Sequence, residues 1–382
     1  MSEILEYKCP ACGGAMEFDS KSQKMKCPYC DTEVDIAEFR KQDEELNEKA
    51  QQDGAGKGAG QESAGQENAK ADGGKFQNAG NAAWQEDETK GMKVYVCVSC
   101  GGEIIADETT GASTCPFCGN RVVVKEQFAD TLKPDLIIPF QLNKKEAKER
   151  YRKHLEGKRF LPKVFRTENH IDEIKGLYVP FWIFDADVAA SGSYSAQIVR
   201  TWRAGDTQYT ETQFYQLERA GRISFADIPT DASKKMDDTL MESVEPYDAK
   251  KAVPFETAYL AGYLADRYDV EMEERFQRAA ERIKATAEET LRSTVGAYQL
   301  VTTTGSHVDI DKVKYKYAMY PVWILNTTWR GERYLFAMNG QTGKMVGDLP
   351  VDRGAFWKFV LLCWIPCSVA AFLLLVLVFM IL

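Results

Sequence analysis

Cysteine is the residue type in this chain whose number and spacing could support chemistry. Eight of the ten cysteines form two sets with one shared spacing, C-x2-C-x14-C-x2-C. A C-x2-C turn directs two thiolates at one ion, and two such turns complete a tetrahedron around Zn²⁺. We therefore predict two structural zinc sites. Their ligands are Cys9, Cys12, Cys27 and Cys30 in the first site, and Cys97, Cys100, Cys115 and Cys118 in the second.

Two other interpretations of the cysteines are a redox C-x-x-C pair and buried, unliganded thiols. A redox pair needs one C-x-x-C at the start of a helix, whereas each pair here has a second pair at a matching distance. Iron could occupy the same four thiolates, and ordinary availability favours zinc. Because four thiolates leave no open coordination position, we predict no catalysis at either site.

No other group of residues predicts catalysis. The three histidines, His154, His170 and His307, are far apart and form no HExxH pattern. The glycine-rich string GAGKGAG lacks the Lys-Ser or Lys-Thr that a phosphate-binding loop requires. Asp185 and Asp187 would share one face of a strand, but no base or metal accompanies them. We therefore predict no catalytic residues and no small-molecule substrate, and expect that the protein is not an enzyme.

The charge balance argues against a surface built mainly to bind phosphates. The 382 residues carry a formal charge of −9. Residues 1–40 contain five Lys/Arg and eight Asp/Glu, and residues 93–125 contain three of each. Neither cysteine segment therefore offers the basic surface that nucleic acid requires, although a local basic patch elsewhere is compatible with the total.

Small ribbons must position the cysteines. We assign residues 1–40 to a first zinc ribbon and residues 93–128 to a second, with Gly13, Gly14, Gly101, Gly102 and Gly119 supplying positive φ beside the knuckles. Residues 41–92 are rich in Gly, Ala, Gln and Glu and predict a flexible linker, so that the ribbons move independently. The alternative for this stretch is an interaction segment around Phe76 or Trp84.

Residues 131–352 are the part of the chain large enough for a globular core. We predict helices from about 144 to 156 with Asn143 as N-cap, from 231 to 244, and from 272 to 291 with Asp269 as N-cap. Residues 194–202, 207–217 and 297–308 alternate as strands do. These patterns predict an α+β domain with mainly antiparallel strands.

Two strands led by proline repeat within that domain, around Trp182 and around Trp323. Each has a central tryptophan and is followed by another strand, the later one turning at Arg330-Gly331. A paired aromatic groove is one interpretation. Two equivalent core strands are the interpretation we favour, because aromatic residues at period two usually pack inward.

The C-terminal residues predict a membrane span. Residues 359–382 carry no charge and would form a helix of roughly 36 Å, against a hydrocarbon core of about 30 Å. A buried core helix is the alternative. Trp357 and Trp364 suit the interface, while Arg353 and Lys358 place the N-terminal bulk in the cytoplasm. We predict a single-pass, tail-anchored protein of the cell membrane, with a transmembrane helix over 357–382 in which Cys363 and Cys367 are packing residues. We expect no secretory signal, because the first residues lack a charged segment followed by an apolar one.

The two cysteine sets, the LYVPFWIFDADV stretch at 177–188 and the NGQTGKMVGDLP stretch at 339–350 resemble the bacterial family of TFIIB-type zinc ribbon-containing membrane proteins. The resemblance covers most of the chain outside the linker, and residues 339–350 carry its most specific central motif. It implies a membrane-stress or membrane-organising assembly. The partners it implies are SPFH/virion-core-like, TPM-domain and PspA-like proteins.

Two functions from different classes remain. The first is a membrane-anchored adaptor that recruits cytosolic protein partners through ribbon edges or through knuckle side chains such as Tyr29 and Phe117. The second is a zinc-ribbon nucleic-acid-binding protein of the transcription or replication type. The near-neutral or acidic charge of both cysteine segments favours the adaptor.

Overall fold

The computed structural model describes residues 9–12, 14, 16–38, 76–78, 80, 92–97, 102–107, 115–117, 122–127, 132–167, 171 and 173–381. These residues include four α-helices of seven residues or more and fifteen strands. The helices are α1 (Lys144–Leu155), α2 (Asp238–Val244), α3 (Met272–Ser293) and α4 (Arg353–Ile381). The strands are β1 (Glu17–Asp19), β2 (Lys24–Lys26), β3 (Glu33–Val34), β4 (Phe76–Asn78), β5 (Met92–Cys97), β6 (Glu103–Asp107), β7 (Val122–Gln127), β8 (Leu136–Ile137), β9 (Lys175–Ala204), β10 (Thr207–Asp231), β11 (Val253–Pro254), β12 (Leu264–Asp266), β13 (Leu300–Trp329), β14 (Glu332–Asn339) and β15 (Met345–Val346).

A large mixed sheet organises the central region. Strands β9, β10 and β13 are 30, 25 and 30 residues long and pair antiparallel in the order β10-β9-β13. Short parallel pairings join β12 to β9, and β4 and β8 to β13. The long strands therefore pair as expected, whereas the shorter ones make the sheet mixed. A separate small antiparallel sheet contains β1, β2 and β3.

The burial of β9 changes in three steps along its length. Residues 176–184 are buried on both faces, and in residues 185–197 mainly the even-numbered side chains are buried. Residues 199–204 are exposed on both faces. Below, the arm means residues 185–204 of β9 with the strands paired to them, and the tip means residues 198–213, where β9 and β10 continue alone as a hairpin.

Both Pro-Trp strands are core strands, as the sequence favoured. Trp182 on β9 and Trp323 on β13 are 1% and 3% exposed. The two strands lie side by side, with Trp182 opposite Tyr317 and Trp323 opposite Gly176. Each leads into a hairpin, and the later one turns at Arg330 and Gly331, which both have positive φ. An aromatic groove at these tryptophans is therefore excluded by their burial.

Helix α3 covers the even-numbered face of β9 in the arm. Its buried residues, including Phe276, Ile283 and Leu291, recur every three or four positions and form one apolar stripe, as the sequence of a half-buried helix requires. The predicted N-cap is wrong. The helix begins at Met272 after Glu271, because the Asp269 carboxylate accepts a hydrogen bond from the Lys234 amide instead, at 2.7 Å.

Helix α1 follows the prediction closely, since Asn143 and Glu146 form a capping box. Helix α2 is shorter than predicted and begins at Asp238, because Asp231 still belongs to β10 and pairs with Phe181. The strands predicted at 194–202 and 207–217 lie within β9 and β10, which extend further because their pairing partners do. The third, predicted at 297–308, begins at Leu300 rather than at residue 297 and continues to Trp329 as β13.

The motif at residues 339–350 forms a corner beside α2. The Asn339 side chain accepts hydrogen bonds from the amides of Gln341 and Thr342 at 2.8 and 2.9 Å. Its amide group donates to the carbonyl oxygens of Val244 and Pro246, both at 3.1 Å. This stretch therefore holds the end of α2 against β14.

Both cysteine segments contact the central domain, which corrects the expectation that they move independently. In the first, the Phe18 amide donates to the Ala261 carbonyl at 3.2 Å and the Gln23 side chain donates to the Phe140 carbonyl at 2.8 Å. In the second, β6 pairs with β12, so β5, β6 and β7 extend the central sheet.

One part of the predicted linker is ordered on the arm. Strand β4 pairs with residues 313–315 of β13, and the Phe76 ring meets the Phe276 ring of α3 at 5.0 Å. Residues 76–78 therefore contact the central domain, at one of the two places where the sequence offered an interaction segment. Trp84 lies outside the described residues.

Helix α4 is long and apolar enough over Arg353–Leu374 to cross a membrane, and none of that segment is buried in the protein. It continues through Pro366. Asp352, the residue before it, donates a hydrogen bond from its backbone amide to the Phe160 carbonyl at 2.8 Å. Its carboxylate forms an ion pair with Arg330 at 3.8 Å. The helix therefore leaves the domain beside the β13–β14 turn, at the opposite end of β13 from the arm.

Candidate metal centre

Two tight turns bring the first four cysteines together. In the first turn, the Cys9 amide donates to the Gly14 carbonyl at 2.8 Å. In the second turn, the Cys27 amide donates to the Thr32 carbonyl at 2.9 Å. These bonds fold each C-x2-C segment back on itself, so that its two side chains point to one side.

The sulfur atoms of Cys9, Cys12, Cys27 and Cys30 all lie within 4.8 Å of one another. The Cys9 and Cys30 sulfurs are 3.4 Å apart, and the Cys12 and Cys27 sulfurs are 3.5 Å apart. Cys9 and Cys27 are buried, whereas Cys12 and Cys30 are exposed. The group could therefore hold one metal ion at the edge of the domain, which agrees with the predicted ligand set.

The glycine prediction needs a correction here. Gly14 does not have a positive φ; that conformation occurs at Asp31, with φ of 56°. Gly14 is needed for a different reason, because a Cβ at this position would lie 2.6 Å from the Tyr29 ring. Gly102 also lacks positive φ, and Gly13, Gly101 and Gly119 lie outside the described residues.

The thiols influence one another electrostatically. Burial opposes ionisation of Cys9, but hydrogen bonds from the Ala11 and Cys12 amides outweigh it and lower the Cys9 pKa to about 6. The Gly14 amide favours the Cys12 thiolate, but the nearby Cys30 and Cys27 sulfurs outweigh it and raise the pKa of Cys12 to about 12. Thiolates this close repel one another, so a bound cation would stabilise all four.

The metal-binding group is joined to the central domain by its small sheet. Phe18 of β1 packs edge-on against Tyr259, with ring centroids 5.2 Å apart. Lys21 forms an ion pair with Glu146 of α1 at 3.2 Å. Because Phe18 and Met25 belong to the same buried cluster as Phe140, folding of the cysteine segment and burial of this face of the core are coupled.

The second predicted ligand set is described only in part. Cys97 and Cys115 are each 1% exposed and pack with the cluster that contains Ile104 and Leu177. Cys100 and Cys118 lie outside the described residues. Phe117 is 9% exposed, and its carbonyl accepts a hydrogen bond from the Asn326 side chain. Phe117 is therefore a core residue rather than a free knuckle contact, whereas Tyr29 is 77% exposed.

The two aspartates on β9 have structural partners. Asp185 accepts a hydrogen bond from the Asp227 amide, and Asp187 accepts one from the Ser224 hydroxyl, both at 2.8 Å. These bonds join β9 to β10 where β10 contains a bulge between Phe225 and Ile228. The pair thus stabilises the arm.

Sequence reasoning missed the exposed aromatic residues of the tip. Trp202 and Tyr209 lie opposite each other in the hairpin and stack at 5.7 Å, with 49% and 47% of each side chain exposed. Phe214 nearby is 70% exposed. The alternation of polar and apolar residues in this region predicted strands. Only the pairing pattern shows that β13 accompanies β9 no further than Gln197 and leaves the tip uncovered.

Comparison with known proteins gives one informative similarity. The chain is 33% identical over 351 residues, 92% of its length and 92% of the relative's, to a protein of Bacillus subtilis strain 168 whose name is "Uncharacterized protein YdjG". No protein-family model matches the chain. No solved structure matches it either.

Proposed function

We propose that the chain, which belongs to the family of the Bacillus subtilis protein YdjG, is a membrane-anchored zinc-ribbon adaptor that recruits cytosolic proteins to the membrane. The observation that carries this proposal is the tip, an exposed aromatic hairpin at the far end of the arm from α4. No part of the described core requires these side chains for its packing, so we assign them to a partner.

Zinc is the metal we propose for Cys9, Cys12, Cys27 and Cys30. Sulfurs bound to one zinc at about 2.3 Å lie roughly 3.8 Å apart in a tetrahedron, and the observed sulfur separations fit that spacing. A second structural zinc is supported by the sequence alone. Its ligands would be Cys97, Cys100, Cys115 and Cys118, which repeat the C-x2-C-x14-C-x2-C spacing of the first set. Four thiolates leave no open position for water, so both ions would stabilise the fold and we propose no catalytic step.

The metal content of the full-length protein tests this assignment. We expect two zinc ions per chain, falling to one in Cys27→Ser, because three remaining sulfurs bind the ion far more weakly. Hydrogen exchange should then quicken across β1–β3. The control is Cys363→Ser, which changes an exposed cysteine of α4 and should leave both ions in place. Iron in place of zinc, or a single ion in the wild type, would contradict the assignment.

The arm gives the adaptor its reach. Because β9 runs antiparallel to β13, its Ala204 end points away from the β13–β14 turn beside α4. The 29 residue steps of β9 span as much as about 95 Å at 3.3 Å per step. With Arg353 and Lys358 beside the apolar run, we propose that α4 spans the cell membrane once and that the arm extends into the cytoplasm.

The edge of the arm suits protein recognition. Within the part of the chain that the structure describes, β10 pairs with β9 alone, so its outer edge faces no other strand. An exposed edge can accept a strand from a partner, and stacked aromatic residues beside it can provide specificity. By the resemblance stated above, we propose SPFH/virion-core-like, TPM-domain and PspA-like proteins of a membrane-stress assembly as the partners.

Purification of the full-length protein from its own cells in mild detergent, read by mass spectrometry, tests the adaptor. We expect membrane-associated proteins that are lost from the double variant Trp202→Ala, Tyr209→Ala. The variant Tyr29→Ala is the comparison, because it removes an exposed aromatic ring from the first cysteine segment. Loss of partners with Tyr29→Ala alone would move the docking surface to the ribbon. Partners that are transcription or replication proteins and disappear on nuclease treatment would replace the adaptor with the nucleic-acid function.

A further inference from the structure

A concentrated positive charge adjoins the point where α4 leaves the domain. Residues 144–166 contain ten Lys/Arg and three Asp/Glu, a net charge of +7, in a chain whose total is −9. We propose that this segment, the basic surface, binds the headgroups of anionic phospholipids in the bilayer that α4 crosses. The inference rests on the proposed membrane anchor and adds a lipid preference to it.

Most of this charge faces solvent. Eight of the ten basic side chains are exposed and the other two are half-buried. Arg152 and Lys153 lie in the last turn of α1, where positive charge also stabilises the helix dipole. Arg159, Lys163 and Arg166 lie beyond that helix, so its dipole does not account for them.

The basic surface is fixed at the level of the membrane helix. The ring of Phe160 meets the rings of Phe356 and Phe359 at 5.3 and 5.5 Å. The Phe160 carbonyl also accepts the Asp352 amide. Since Phe359 begins the uncharged run of α4, Arg159 is positioned next to the boundary between headgroups and acyl chains.

Apolar side chains accompany the charges at this boundary. Val164 follows Lys163 and is 36% exposed, and Trp357 on α4 is 61% exposed. Exposed tryptophan suits the interfacial region, where one part of the ring meets hydrocarbon and the other meets water. Basic and apolar residues together are typical of a surface that lies against anionic lipid.

Two of the nearby acidic groups have basic partners outside the segment. Glu146 pairs with Lys21 of the small sheet, and Asp352 pairs with Arg330 of the β13–β14 turn. Each therefore faces a basic residue from outside the segment. A nucleic acid could also bind a surface of this charge, but the contact of Phe160 with α4 favours lipid, because it holds the charges against the bilayer.

The experiment measures lipid selectivity with the full-length protein. The chain is reconstituted in phosphatidylcholine bilayers with a trace of spin-labelled phosphatidylglycerol or spin-labelled phosphatidylcholine. Electron paramagnetic resonance then gives the fraction of each lipid that is immobilised at the protein. For the wild type at low salt, we expect phosphatidylglycerol to be preferred about threefold or more, which is on the order of the attraction of one basic residue to an anionic membrane. The preference should fall in 0.5 M salt, because salt screens that attraction.

Charge-neutralising variants locate the effect. In Lys153→Gln, Arg159→Gln, Lys163→Gln we expect the preference to fall toward one. All three side chains are exposed, so the fold should persist. The matched control is Lys284→Gln, Arg292→Gln, Lys312→Gln, which removes the same charge from exposed positions on α3 and β13 and should keep the preference. Arg353 and Lys358 remain in every variant, so their contribution is common to all.

Each outcome has a distinct meaning. If phosphatidylcholine itself is not immobilised by any form of the protein, the membrane anchor fails, and this inference fails with it. If phosphatidylcholine is immobilised but both triple variants keep the same preference, the anchor stands and the basic surface is not the lipid site. If the first variant loses binding to a single-stranded oligonucleotide yet keeps its lipid preference, the surface binds nucleic acid and the lipid inference is overturned.

Discussion

The base and the tip of β9 belong to one strand and yet depend on different forces. At the base, residues 176–184 are buried on both faces, and Trp182 contacts the rings of Tyr268, Tyr315 and Tyr317. At the tip, the ladder to β10 continues, but neither face is covered. At the tip, the strand is held by backbone hydrogen bonds to β10 and not by side-chain packing. The side chains of the tip are therefore available for recognition.

The largest expected contrast comes from removing the same residue type at both ends. Trp182→Ala deletes a ring that is 1% exposed. It also removes the hydrogen bond of 2.9 Å that the Trp182 indole donates to the Val270 carbonyl. We expect the free energy of unfolding to fall by about 3–5 kcal/mol. Thermal unfolding of the full-length protein in detergent, followed by near-ultraviolet circular dichroism, measures the loss.

Trp202→Ala is the matched control, since it lies on the same strand and the same face but is 49% exposed. Its unfolding temperature should stay within a few degrees of the wild type. Equal losses from both substitutions would show that the tip takes part in the core and would remove the contrast between the two ends.

A smaller, pH-dependent effect is expected at the base of β10. Burial raises the pKa of Asp231 to about 8, although the Ser233 amide and Arg275 oppose the shift. The folded protein therefore holds a proton that the unfolded chain releases above about pH 4. Stability should fall as pH rises from about 4 to 8, by about 1.4 kcal/mol per pH unit at most, and level off above that window.

Asp231→Asn should flatten that dependence, because its amide carries no proton to release. Unfolding free energies of wild type and variant, measured in urea at several values between pH 5 and pH 9, give the comparison. Asp206→Asn, at the exposed hairpin loop, provides the control and should follow the wild type. A variant as pH-dependent as the wild type would assign the effect to other groups.

The smallest effect on stability is expected from the double variant Trp202→Ala, Tyr209→Ala. An exposed cross-strand aromatic pair contributes about 0.5–1.5 kcal/mol, and here that energy is local to the hairpin. Hydrogen exchange should quicken at residues 198–213 and remain unchanged at 176–184. Faster exchange at the base would mean that the two regions unfold together.

The elements that the sequence predicted well are those with a complete local signal. Asn143 and Glu146 specify the start of α1 through a capping box, and the stripe from Phe276 to Leu291 specifies the buried face of α3. The four cysteines that come together were likewise encoded in their spacing. In each case the residues that decide the structure lie within a few turns of one another.

The elements that it predicted poorly depend on partners distant in the chain. Residues 185–197 are rich in Ala and Ser, and they are extended because β13 pairs with them more than a hundred residues later. The Phe76 strand and the docking of Phe18 on Tyr259 have the same origin. The basic surface was obscured differently, since the net charge of −9 averages it away.

The plain two-stranded construction of the tip makes the length of the arm an adjustable quantity. The loop between the two strands consists of Gly205 and Asp206. From that loop, the pairing of β9 with β10 runs without a bulge to the pair formed by Ala186 and Phe225. Deleting two residues from each strand would shorten the hairpin by about 7 Å and keep every remaining side chain on its own face. Evolution could thus set the spacing between a bilayer and whatever the tip holds, two residues at a time, without repacking the core.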